Sequence, residues 1–147
     1  MKSLDNLIRL HKWQLDEKRR NLAELEKLRE ALQLDLVKLA ADLAREGALA
    51  DTAGDGTLAA GTLAFPGWMA ATLARRDKIN ASIVESEQRI LTAKEEVGEA
   101  FAEVKRYEQV AEARDRRARD SLNRRLAAEM DEAGLEGHRR KALALAD

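Results

Sequence analysis

SLDNLIRLHKWQLDEKRRNLAELEKLREALQLDLVKLAADLARE, residues 3–46, decides the fold. Leu4, Ile8, His11, Leu15, Lys18, Leu22, Leu25, Arg29, Leu32, Leu36, Leu39 and Leu43 follow one another in steps of four and three without a slip. A stripe with that period keeps one face of an α-helix turned toward a neighbouring helix, and it predicts left-handed coiled-coil packing. Ser3 can cap the helix, but Asn6 stands where a capping box would carry Glu or Gln. Three stripe positions are polar: His11, Lys18 and Arg29. Two readings stay open for them. Long basic stems can reach from a seam to water, and polar seam residues often fix register and orientation. Alternatively, they only weaken the coil.

The rest of the chain agrees with a stripe rather than a three-dimensional core. Of 147 residues, 36% are charged and only 3% aromatic, so a compact globular centre cannot be filled and an elongated shape is expected. The 26 basic and 27 acidic residues give a net charge of −1, which draws the whole molecule to neither nucleic acid nor membrane. Without cysteine there is no disulfide framework, thiolate nucleophile or cysteine–zinc site. The N-terminus MKSLDNLIRLHKWQLDEKRR lacks the uncharged apolar core of a signal peptide, and no apolar run approaches membrane-spanning length. A cytoplasmic protein with no direct membrane insertion is expected.

A break follows in GALADTAGDGTLAAGTLAFPG, residues 47–67, which holds five glycines and the single proline, Pro66. Gly56 to Thr62 imitates a phosphate-binding loop, but the lysine after the second glycine is absent. Asp51, Asp55 and Gly56 imitate a calcium loop, but Ala53 and Thr62 occupy ligand positions. The stretch reads as a hairpin tip over 47–66. Proline suits the first turn of a helix, so a second helix is expected to start near Pro66 and run over 67–133, followed by a flexible tail over 134–147. Its own seam is Ile83, Ser86, Ile90, Ala93, Val97, Ala100, Val104, Tyr107, Ala111, Arg114 and Ala118, where bulky and small residues alternate. The leucines of the first helix can fill the gaps over Ala93 and Ala100. The fold expected is all-α: a two-helix antiparallel coiled-coil hairpin with the second helix longer.

Such a hairpin sets residue i opposite roughly residue 113 − i, so the second helix outruns the first by about 30 Å at ~1.5 Å per residue. The overrun contains AEARDRRARDSLNRR, residues 111–125. From 113 to 125 it carries six arginines against two aspartates, a local charge of +4. Leu122, Leu126 and Met130 step by four along it and offer an apolar face. A lone helix of about 20 residues is marginal in water, which points to an insertion element for another protein, or else to a solvated helix end. Leu10 and Trp13 fall opposite the seam and should be exposed; an exposed Trp beside Leu marks a contact surface, unless a local rotation of the helix buries Trp13.

This layout resembles the FliJ family, the small coiled-coil component of the flagellar type III export apparatus. The resemblance covers nearly the whole chain and rests on LDNLIRLHKWQLDEKRRNLAELEKL, where an apolar start becomes charge-rich, and on FAEVKRYEQVAEARDRRARDSLNRRLAAEMDE, an aromatic, Glu- and Arg-rich helix with an acidic end. It implies a non-catalytic protein without cofactor, similar to the central stalk of rotary ATPases and held at the cytoplasmic face of the inner membrane through its partners. The end bearing both termini is expected to enter the hexameric export ATPase, with Arg114, Arg116, Arg117, Arg119, Arg124 and Arg125 forming forked hydrogen bonds to acidic groups and Leu122 and Leu126 adding an apolar grip. The region toward the tip is expected to touch the membrane-embedded export gate through Leu36, Leu39 and Leu43 on the first helix and Trp68, Met69 and Leu73 on the second. Leucines stand there where relatives often carry tyrosines, and the same residues also read as ordinary seam. Export chaperones are further candidate partners.

Other functions fit the residues less well. His11 and His138 lie far apart with no nucleophile or paired metal ligand beside them, which speaks against an enzyme. RDRRARDSLNRR superficially resembles the basic region of a leucine-zipper protein, but Gly134 and Gly137 follow where a dimerising heptad is required. Asp115 and Asp120 interrupt its positive face, so no nucleic-acid partner is expected. A generic coiled-coil adaptor without an ATPase partner would share the fold.

Overall fold

The computed structural model describes the chain over residues 2–52 and 59–146, with side chains over 2–51 and 64–146. These residues form two α-helices, α1 (Lys2–Thr52) and α2 (Ala59–Ala146), the second the longer, with no strand among the described residues. The chain divides into two units: Trp13–Phe101, and Met1–Lys12 with Ala102–Asp147.

In the unit Trp13–Phe101, α1 and α2 pack against each other in opposite directions. Leu15 is 5% exposed, Ile90 2% and Ala93 3%, and Ile83 is buried with them. Lys18 Nζ lies 3.8 Å from a Glu96 carboxylate oxygen, one residue from the partner that the hairpin arithmetic assigns. Further along α1, Leu25 borders a groove with Ala93, and Leu32 borders one with Ser82 and Ser86. Rising numbers on α1 therefore meet falling numbers on α2. The small α2 residues Ser86 and Ala93 leave room for leucines, as knobs fit holes. The two buried hydroxyls return their hydrogen bonds to their own helix. Ser86 Oγ donates to the Ile83 carbonyl at 2.7 Å, and Thr72 Oγ1 to the Trp68 carbonyl at 2.8 Å.

In the unit Met1–Lys12 with Ala102–Asp147, the start of α1 lies against Val104, Tyr107 and Glu108. Val104 is buried, and the His11 ring stacks on Tyr107 with centroids 4.6 Å apart and 22° between planes. Tyr107 lies five residues beyond the position that the hairpin arithmetic sets opposite His11. Side chains on an α-helix lean toward its N-terminus, so in an antiparallel pair long side chains meet residues numbered higher than those facing them.

Every one of the twelve seam positions read on α1 is buried or half-buried, and so are the first nine on α2, from Ile83 to Ala111. The last two, Arg114 and Ala118, are exposed.

Several boundaries differ from the sequence expectation. The helix expected over 3–46 continues through Gly47 to Thr52, because Gly47 and Ala50 extend the four–three stripe and are half-buried like the leucines before them. One glycine in a helix costs about 1 kcal/mol relative to alanine, which a long packed helix absorbs. The second helix begins at Ala59 rather than near Pro66, and Pro66 lies inside it. An interior proline removes one backbone hydrogen bond, but Ala59, Ala60, Leu63 and Ala64 are strong helix formers ahead of it. The expected tip over 47–66 is thus helical on both sides; its centre, with Asp55 and Gly56 of the two loop imitations, lies outside the described residues. The segment expected as a flexible tail over 134–147 is helical to Ala146. A Cβ at Gly134 or Gly137 would have nothing within 4 Å, so these glycines weaken the helix without being required by packing.

Candidate partner-binding surfaces

From Arg114 to Ala146, every α2 side chain is exposed, so none is covered by α1. The sequence explains why: α1 begins at Lys2, and the covered face of α2 has already ended at Ala113. On this helix Arg114, Arg116, Arg117, Arg119, Arg124 and Arg125 all reach water, and Leu122 and Leu126 are 55% and 49% exposed. Arg116 spends part of its charge on Glu112, at 3.4 Å. The other five arginines hold no ion pair among the described residues, so their guanidinium forks are open to an external carboxylate or carbonyl.

At the base of this helix a cluster fixes the start of α1. Lys12 Nζ approaches a Glu108 carboxylate oxygen at 3.2 Å, and Lys105 approaches the other oxygen at 3.4 Å. The hydrogen bond from Lys12 is the main force holding the Glu108 carboxyl below its ordinary value; partial desolvation pulls the other way, and the bond from Lys105 adds to the lowering. A lowered carboxyl stabilises the fold above the unfolded-state value. That contribution fades as pH falls through the folded-state value, below the ordinary glutamate value of about 4.3.

The residues expected to meet an export gate lie in the other unit and do not share one environment. Leu36, Leu39 and Leu43 are half-buried in the α1 seam, and Leu73 is half-buried beside Thr72. Trp68 and Met69 are exposed, and the Trp68 ring stacks on Phe65 at 6.0 Å. Leu10 in one unit and Trp13 in the other are exposed at 48% and 60%, as the heptad frame requires. The His11–Tyr107 stack and the Glu108 cluster are absent from the sequence reading. Both residues of the stack were legible as seam positions, but their pairing depends on side-chain lean, which no local pattern carries.

Among the described residues no group of His, Cys, Asp and Glu could hold a metal ion, and no helix is long and apolar enough to cross a membrane. The family model described as Flagellar FliJ protein matches residues 1–143 of the chain. No curated protein and no solved structure matches it.

Proposed function

The chain belongs to the FliJ family, whose members are non-catalytic components of flagellar protein export, and from that premise we propose that it is the stalk of the export ATPase. The exposed end of α2 enters the hexameric ring, promotes its assembly or activity, and the molecule links the ring to the export gate at the cytoplasmic face of the inner membrane. Arg114, Arg116, Arg117, Arg119, Arg124 and Arg125 grip acidic or carbonyl groups inside the ring, with Leu122 and Leu126 between them. Leu36, Leu39, Leu43, Trp68, Met69 and Leu73 form the gate contact, of which Trp68 and Met69 are the side chains already exposed. Export chaperones are further partners in this reading.

The observation that carries the reading is the unpartnered run of α2 after Ala113, a helix with five open guanidinium groups and an apolar stripe. The test is a titration of the full chain into the export ATPase of the same organism, reading ring formation and ATP hydrolysis. A variant with Arg117, Arg119, Arg124 and Arg125 changed to alanine runs beside it. Stimulation by the native chain, lost in the variant, supports the stalk. A native chain without effect leaves a coiled-coil adaptor of another partner.

A further inference from the structure

The exposed part of α2 is not uniformly charged. Six arginines against Asp115 and Asp120 give 114–125 a local charge of +4, while Glu129, Asp131, Glu132 and Glu136 follow with no base among them before His138. Elsewhere the chain interleaves its charges. Arg19, Arg20, Arg45, Arg89, Arg106 and Arg116 each hold an acid three or four residues away. Such interleaving suits a solvated helix, since neighbours at those spacings support it. From Arg117 to Lys141 no charged side chain forms an ion pair among the described residues. A single helix of this length is marginal in water.

At 100° per residue, Ala118, Leu122, Leu126, Met130 and Ala133 fall on one face, and Leu122, Leu126 and Met130 are all about half exposed or more. We propose that this face is a self-association surface on which a second copy of the chain lies antiparallel, centred on Leu126. In that arrangement Leu126 meets Leu126 of the second copy, and Leu122 meets its Met130. Arg125 comes beside Glu129 of the second copy, and symmetry repeats the pair. A parallel arrangement would instead set the six arginines of 114–125 against the same six, which like-charge repulsion opposes. The pairing rests on this chain's residues alone and holds whether or not an ATPase is the partner. If both occupants use the stripe, they compete for it, and the paired form conceals the arginines.

The full chain is followed by light scattering over a concentration series at low salt. The native mass is expected to rise from 16.4 kDa toward twice that value. Arg125→Glu and Glu129→Arg, each alone, should stay at the single-chain mass where the native chain has doubled. An equimolar mixture of the two variants should recover the doubled mass, because each then meets its opposite. Circular dichroism of each variant separates failure to pair from failure to fold. A native chain at 16.4 kDa throughout, or a mixture no heavier than its components, overturns the proposal and leaves the stripe to a different protein. Direction is read by cross-linking, which the absence of native cysteine makes clean. Leu122→Cys should link to Met130→Cys and not to itself; self-linkage of Leu122→Cys overturns the antiparallel arrangement.

Discussion

His11, Lys18 and Arg29 hold leucine positions in the α1 seam, and each resolves the misfit differently. His11 lies flat on Tyr107, Lys18 extends to Glu96, and Arg29 stays half-buried with its Nε shielded from water and without a hydrogen-bond partner. The third is the weakest solution, because a shielded donor left unpaired costs about 1–3 kcal/mol. Arg29→Leu is therefore expected to raise the urea midpoint; a fall would mean that the guanidinium sets register. The opposite case is Ile90, 2% exposed, where Ile90→Ala should cost about 2–4 kcal/mol in urea denaturation. Val84→Ala, on the exposed face, should change stability by under about 0.5 kcal/mol in the same experiment. Glu108 supplies a pH test. Its carboxyl, followed by NMR, should titrate below the ordinary glutamate value and move back up in Lys12→Met. Lys105→Met should move it less, since Lys12 is the larger cause. Equal movement in both variants would contradict the ranking.

At the scale of the element, the two helices show which local rules survive length. Gly98, Gly134 and Gly137 sit inside α2 with open space where a Cβ would stand. Gly98→Ala should raise stability by about 1 kcal/mol, seen as a higher thermal midpoint, because alanine loses less backbone freedom in a helix. No rise would imply that the position requires glycine for a contact outside the chain. The seam of α1 was fully legible in its four–three steps, because a two-helix coil leaves each residue one neighbour to face or avoid. Gly47, Pro66 and Gly134 misled for the opposite reason. Turn rules weigh a residue against its nearest neighbours, whereas a long helix spreads a local penalty over many turns. On α2 the seam pattern runs on through Arg114 and Ala118, where no helix covers it. A repeat in one helix does not announce where its partner begins.

For the whole molecule, burial ends at Ala113, before the run of α2 proposed to enter the ring. A chain ending after Ala113 should denature within about 1 kcal/mol of the full chain, followed by Tyr107 and tryptophan fluorescence, since no described side chain beyond that point is buried. A larger loss would show that α2 contributes packing beyond Ala113. The same chain should lose any ATPase stimulation entirely. The arginine helix was legible from composition and spacing alone. The residues proposed for the gate were less so, because Leu36, Leu39 and Leu43 carry a signal that seam packing already explains. Only the exposure of Trp68 and Met69 sets two of those six apart.

The order in which the seam is written along the chain has a consequence for its birth. Leucines fill α1 by residue 43, while the buried face of α2 that covers them, from Thr72 to Val104, comes later. At ribosomal rates of about 5–20 residues per second, the nascent stripe waits roughly 3 to 12 seconds for its cover. During that interval every newly made copy presents an uncovered leucine face to the cell, and copies on one polysome present it to each other. The alternation of small and bulky residues on α2 then matters for timing as well as fit. It offers the waiting leucines gaps over small residues that the leucine seam of another α1 does not have.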